Sequence, residues 1–89
     1  MNKAEEHAYK FEQRMEADYK RYAEKAHSYN LEVPPMWSPK TSSEKMTLAQ
    51  YRKGRLKDKD REVFEAKLKA HLKVLREKVV VEENARYQA

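Results

Sequence analysis

Apolar side chains in the first third of the chain recur every three or four residues. This first stripe consists of Ala4, Ala8, Phe11, Met15, Tyr19, Tyr22, Ala26 and Tyr29. At about 100° per residue, these positions fall within roughly 80° of one another around a helix. So narrow a stripe predicts one long amphipathic helix, which must bury the stripe against another helix. We expect it over residues 3–29, in a segment 1–30 that ends at Asn30, a suitable left-handed helix terminator.

The last third of the chain carries two apolar stripes. The first, the core stripe, consists of Phe64, Leu68, Leu72, Leu75 and Val79. The second, the valine stripe, lies roughly 130° away around the helix and consists of Val63, Ala70, Val74 and Val81. Because helices pack along a single line of contact, a helix with two stripes should contact two neighbours. We expect this helix over residues 58–86, capped by Asp58 or Asp60.

A proline-rich connector, residues 31–46, separates the two long helices. Pro34, Pro35 and Pro39 forbid a continuous helix. Thr47 followed by Gln50 fits a capping box, which predicts a short helix over residues 47–54 that stops near the single glycine.

Met36 and Trp37 give the connector an apolar centre, and side chains of that size have reason to dock. Two alternatives stay open for them. They could close the core at the end of the helix pair, or they could fill a pocket on a partner as an aromatic anchor.

Together these elements predict an all-α fold in one small domain, residues 1–89. It is an antiparallel hairpin of two long helices with a Pro-rich connector and one short helix. The side chains expected to be buried between the long helices are Phe11, Met15, Tyr22, Leu68, Leu72 and Leu75. A chain of 89 residues with 39% charged side chains has a thin core and exposes much of its surface.

The net charge of +5 is concentrated in the middle of the chain. Residues 1–30 sum to zero, residues 31–61 to +4 and residues 62–89 to +1. The excess lies in a basic cluster of six residues, Arg52, Lys53, Arg55, Lys57, Lys59 and Arg61. A local cluster at a turn indicates one contact with phosphate or with an acidic patch, although cations around a loop can also serve only to keep it solvated.

Catalytic and ligand-binding motifs are missing from the sequence. The histidines, His7, His27 and His71, are too far apart for an HxxxH zinc pair on one helix. One glycine cannot form a phosphate-binding loop, and the carboxylates lie among lysines on solvated faces, where acid or base catalysis has no support. We therefore expect no enzyme, no metal, no cofactor and no small-molecule substrate.

The lack of cysteine suits the cytoplasm or another reducing compartment. The first 16 residues have no apolar core of a signal peptide. The longest apolar run, residues 79–81, is far too short to span a membrane.

The sequence thus favours a small helical module that binds another protein or a second copy of itself, as an accessory subunit of a larger assembly. The expected partner-binding residues are Trp37, Met36, Val63, Ala70, Val74 and Val81. Nucleic acid is the alternative partner, bound at the phosphate by the basic cluster.

Overall fold

The fold contains three helices and no strand in the residues that the computed structural model describes, 1–37 and 39–88. The helices are α1 (Lys3–Ser28), α2 (Ser42–Arg52) and α3 (Asp58–Gln88). The all-α class, with two long helices that pack together and one short helix, is confirmed. The described chain is elongated, about 50 × 26 × 19 Å.

Helix α1 begins and ends at residues whose side chains or conformations suit those positions. At its start, the Asn2 side chain accepts a hydrogen bond from the Glu5 amide at 2.8 Å, and the Glu5 carboxylate accepts one from the Asn2 amide at 3.3 Å. At its end, Asn30 adopts φ 58° and the Leu31 amide donates to the Ala26 carbonyl at 2.8 Å. This is a Schellman motif, so the predicted role of Asn30 is confirmed.

Helix α2 starts at Ser42, five residues before the predicted start at Thr47. The N-cap is Thr41, whose hydroxyl accepts from the Glu44 amide at 3.1 Å. Thr47 lies inside the helix, where its hydroxyl donates to the Ser43 carbonyl at 3.0 Å. The Thr41-to-Glu44 spacing is itself a helix-start signal, and it comes two residues after Pro39.

Helix α3 starts at Asp58, with the Arg61 amide donating to the Lys57 carbonyl at 2.9 Å. Asp58 and Asp60 therefore lie in the first turn and not at the predicted N-cap. In that position their charges still stabilise the helix through its dipole. The helix continues to Gln88, two residues past the predicted end.

The two long helices run in the same direction, so the predicted antiparallel arrangement is wrong. His7 contacts Glu65 at 2.7 Å near the start of both helices, and Lys25 contacts Glu83 at 3.4 Å near the end of both. Apolar periodicity predicts which face a helix buries but not the direction in which its partner runs.

The segment between α1 and α3 travels back along the helix pair. Tyr19 donates to the Pro34 carbonyl at 2.9 Å, Trp37 packs on Phe64, and Gly54 reaches Ala4. Thirteen residues separate α1 from α2, and a fully extended chain of that length reaches about 43 Å. The 11 residues of α2 add about 16 Å. Together they suffice to return along α1, which is about 39 Å long.

The core lies between α1, α3 and this returning segment. The whole core stripe of α3 is buried, as are Phe11 and Met15 of α1. Tyr22 packs against the core as predicted, but it is only partly buried. The Arg21 guanidinium lies 5.4 Å from the Tyr22 ring centroid.

Candidate protein-docking surface

The valine stripe faces away from the core and stays open to solvent. Val63 is 57% exposed, Val74 51% and Val81 68%, and Ala70 is exposed as well. The first and last positions, Val63 and Val81, are 18 residues apart, or about 27 Å along the helix. The four positions form a narrow apolar line along the middle of α3.

The returning segment leaves this line uncovered because it packs on a different side of α3. The Trp37 ring lies 5.0 Å from that of Phe64 and 6.3 Å from that of His71, between centroids. Phe64 lies at the edge of the core stripe, and His71 lies next to it, between the two stripes. The valine stripe is therefore not the contact surface of the connector.

Two depressions border the valine stripe on the side of the connector. One, of about 360 Å³, lies at the Val63 end and is lined by Trp37, Leu56 and Lys67 as well. The other, of about 480 Å³, lies at the Val74 and Val81 end and also includes Leu31 and Lys78. Both are open to solvent and lie beside the exposed side chains of the stripe.

Met36 and Trp37 are partly buried against the molecule's own core. The indole Nε1 of Trp37 is buried and finds no acceptor among the described residues. A buried donor without an acceptor is destabilising by about 1–3 kcal/mol. Hydrogen bonding therefore does not hold the ring in place, and its packing against Phe64 does. Both side chains thus pack against the core of the helix pair and remain partly exposed.

The basic cluster divides into paired and open cations. Arg52 reaches across to Glu12 of α1 at 3.0 Å, and Arg61 lies 3.6 Å from Asp58. The other four members are exposed, and no carboxylate of the described residues lies within 4.0 Å of them: Lys53, Arg55, Lys57 and Lys59. They lie together where α2 passes into α3.

A polar contact among all three helices lies behind this surface, and sequence reasoning did not identify it. The Glu65 carboxylate accepts a hydrogen bond from the Tyr51 hydroxyl at 2.7 Å, and its Oε2 lies 2.7 Å from Nε2 of His7. Burial, reinforced by the Glu65 carboxylate, raises the pKa of Tyr51 far above its usual range. A neutral buried tyrosine fixed in this way positions α2 against both long helices, and the contact has a structural role.

Metal and membrane features are not found in the described part of the chain. Residues 1–37 and 39–88 hold no group of three histidine or carboxylate side chains placed to bind a metal ion. No helix in those residues is both long and apolar enough to cross a membrane.

Comparisons with protein-family models, curated proteins and solved structures find no match to this chain.

Proposed function

We propose that this chain is a small noncatalytic helical binding module that docks on a protein through the valine stripe, as a subunit or accessory factor of a larger assembly. The observation that carries the proposal is the exposure of Val63, Val74 and Val81 on one line of α3. Single exposed apolar residues are ordinary. Four in one line over about 27 Å form a seam of the kind that packs against another helix.

The energetics of the stripe favour association. Removing apolar surface from water contributes about 25 cal/mol per Å². Small side chains such as Ala70 allow a second helix to approach closely. The lysines at the border can extend their aliphatic stems over a partner while their charges remain in water.

The double substitution Ala70→Glu with Val74→Glu should eliminate the complex and leave the chain folded. Both residues are exposed, so the far-ultraviolet circular dichroism of the isolated chain should not change. Contact with the partner is measured by photo-crosslinking in the cell that naturally makes this chain, with Val81 replaced by benzoylphenylalanine. We expect adducts from Val81 in the parent chain and at least tenfold fewer in the double variant.

The matched control carries the same photo-reactive residue at Tyr9, an aromatic side chain on α1 that is 55% exposed. It should give few adducts. Equal labelling from Tyr9 and Val81, or adducts that survive the double substitution, would show that the stripe is not the docking surface.

Nucleic-acid binding is the second candidate, favoured by the four open cations between α2 and α3. Phosphate contacts displace counterions, so the observed affinity falls steeply with salt. The acidic side chains nearby count against it, since Asp58 and Asp60 lie in the same turn as Lys59.

Replacement of Lys53, Arg55, Lys57 and Lys59 by glutamine should flatten the salt dependence of binding to a short RNA hairpin or DNA duplex. Each cation that no longer neutralises a phosphate lowers the slope of log K against log salt by about 0.9, so the slope should decrease by about three to four. This variant keeps Arg52 with Glu12 and Arg61 with Asp58. A parent chain that fails to bind either probe at low salt would exclude this function.

A further inference from the structure

The valine stripe is built as an 11-residue repeat. Val63, Lys67 and Ala70 recur as Val74, Lys78 and Val81. Eleven residues make slightly more than three whole turns of an α-helix, so the equivalent side chains lie nearly above one another, offset by about 20°. A repeat of this length keeps its seam on one side of a nearly straight helix.

The two edges of the stripe carry different charges. The edge formed by residues three positions before a stripe residue carries Asp60, Lys67, His71 and Lys78. The opposite edge, four positions before a stripe residue, carries Lys59, Ala66 and Glu77. Of these, Glu77 contacts Lys73 of its own helix at 3.8 Å, with both side chains more than 60% exposed, which is a weak surface pair.

We propose that the stripe pairs with a second copy of this chain, with the two α3 helices parallel. This inference rests on the proposed function and names its partner. In a parallel pair, one edge of each copy faces the opposite edge of the other at the same level. Asp60 then faces Lys59 of the other copy, and Lys78 faces Glu77. By symmetry each opposite-charge contact forms twice.

The antiparallel arrangement is disfavoured by the same charges. Turning one helix end for end places like edges together, so that Lys67 meets Lys78 of the other copy on both ends of the seam. Like charges at such flanking positions are destabilising.

Helix α1 leaves room for this arrangement. The core stripe, which faces α1, lies roughly 130–140° around α3 from the valine stripe. The loop between α2 and α3, which carries most of the basic cluster, packs with Gly54 against Ala4 of α1, and its Leu56 borders the depression beside Val63. In the parallel pair these two loops occupy the same end, so their open cations repel each other and weaken the association, more strongly at low salt.

The pair should be weak. A seam about 27 Å long and one side chain wide covers a few hundred Å² on each copy, well below the roughly 800 Å² of a standard stable interface. Association should therefore depend on concentration and be reversible. Disulfide formation between introduced cysteines is a suitable measurement, because it accumulates even short-lived pairs.

A single cysteine at Val81 should form a disulfide-linked dimer at least tenfold faster than a single cysteine at Tyr9. The chain has no cysteine of its own, so each variant reports on one position. In the parallel pair the two Val81 positions face each other, while in an antiparallel pair they lie at opposite ends of the seam. Dimers are counted on non-reducing gels after mild oxidation of the purified full chain.

Exchanging the charges of Lys78 and Glu77 tests whether the two edges face each other across the pair. In the Val81→Cys chain, Lys78→Glu alone places like charges against Glu77 and should slow linkage severalfold. Adding Glu77→Lys exchanges the two edges and should restore the rate. Because a charge at position 78 also changes the reactivity of the thiol at position 81, each linkage rate is divided by the rate at which the same variant reacts with a small disulfide reagent. After this correction, a merely sticky stripe would respond to neither change.

Two results would overturn the inference. One is linkage from Val81→Cys no faster than from Tyr9→Cys. The other is preferential linkage between Val63→Cys and Val81→Cys chains in a mixture, which marks antiparallel pairing. In either case, photo-adducts between Val81 and a different protein would still support docking through the valine stripe. If Val81 gave no photo-adducts either, both the docking function and the pairing of two copies would be excluded.

Discussion

Replacing Leu72 by alanine should destabilise the fold by about 2–5 kcal/mol, the usual result of emptying a buried leucine site. Leu72 is 4% exposed in the cluster where α1, α2 and α3 meet. Domains of this size are stable by roughly 5–15 kcal/mol, and each kcal/mol changes Tm by about 4–8 °C. Thermal unfolding followed by circular dichroism should therefore show a large decrease in Tm. Phe11→Ala, on the facing side of α1, should behave in the same way.

Val74→Ala is the matched control for this pair. It removes two methyl groups from the same helix at a residue that is 51% exposed, and the expected cost is about 0.5 kcal/mol or less. Melting of the Leu72 and Phe11 variants within a few degrees of this control would show that the long helices do not pack through the core stripe.

Periodicity predicted most of the core that the two long helices supply, but not Leu48 and Tyr51, which α2 adds to it. Phe11 and Met15 on α1 and the whole core stripe on α3 are buried, because a spacing of three and four residues defines one helix face whatever lies against it. The same reasoning located the valine stripe. Its exposure follows from the angle between the two stripes.

The relative direction of α1 and α3 could not be predicted in this way, because the spacing of apolar residues in a stripe is the same in both directions along the helix. The information lay in the connector, whose length allows a return along the helices. Pro34, Pro35 and Pro39 keep it extended, and extended chain covers about twice the distance per residue of helix. A turn between antiparallel helices needs only a few residues, so a connection this long was the available sign of a parallel pair.

The contact among His7, Tyr51 and Glu65 was beyond sequence reasoning. Its members come from three helices, and His7 and Glu65 are 58 positions apart. No local spacing marks such a set. For the basic cluster, the position of the charge could be read along the chain, but only the fold shows that Arg52 is held by Glu12 of α1.

Replacing Gly54 by alanine should cost roughly 2–5 kcal/mol, although the substitution adds only one methyl group. Gly54 has φ 68°, a left-handed conformation that costs other residues about 1–2 kcal/mol. An added Cβ would also lie 2.7 Å from the Cβ of Ala4 and 2.8 Å from the backbone nitrogen of Glu5. Overpacking of this kind adds about 1–3 kcal/mol, and backbone atoms of α1 cannot rotate away.

Matched variants separate the two parts of this cost. Asn30 also has a positive φ, 58°, but its side chain is exposed, so Asn30→Ala measures the conformational cost with little steric contribution. Adding Ala4→Gly to Gly54→Ala removes one of the close approaches and should recover part of the stability in urea unfolding. If Gly54→Ala proves no more costly than Asn30→Ala, the loop does not rest on the start of α1. The return path that makes α1 and α3 parallel would then be wrong as well.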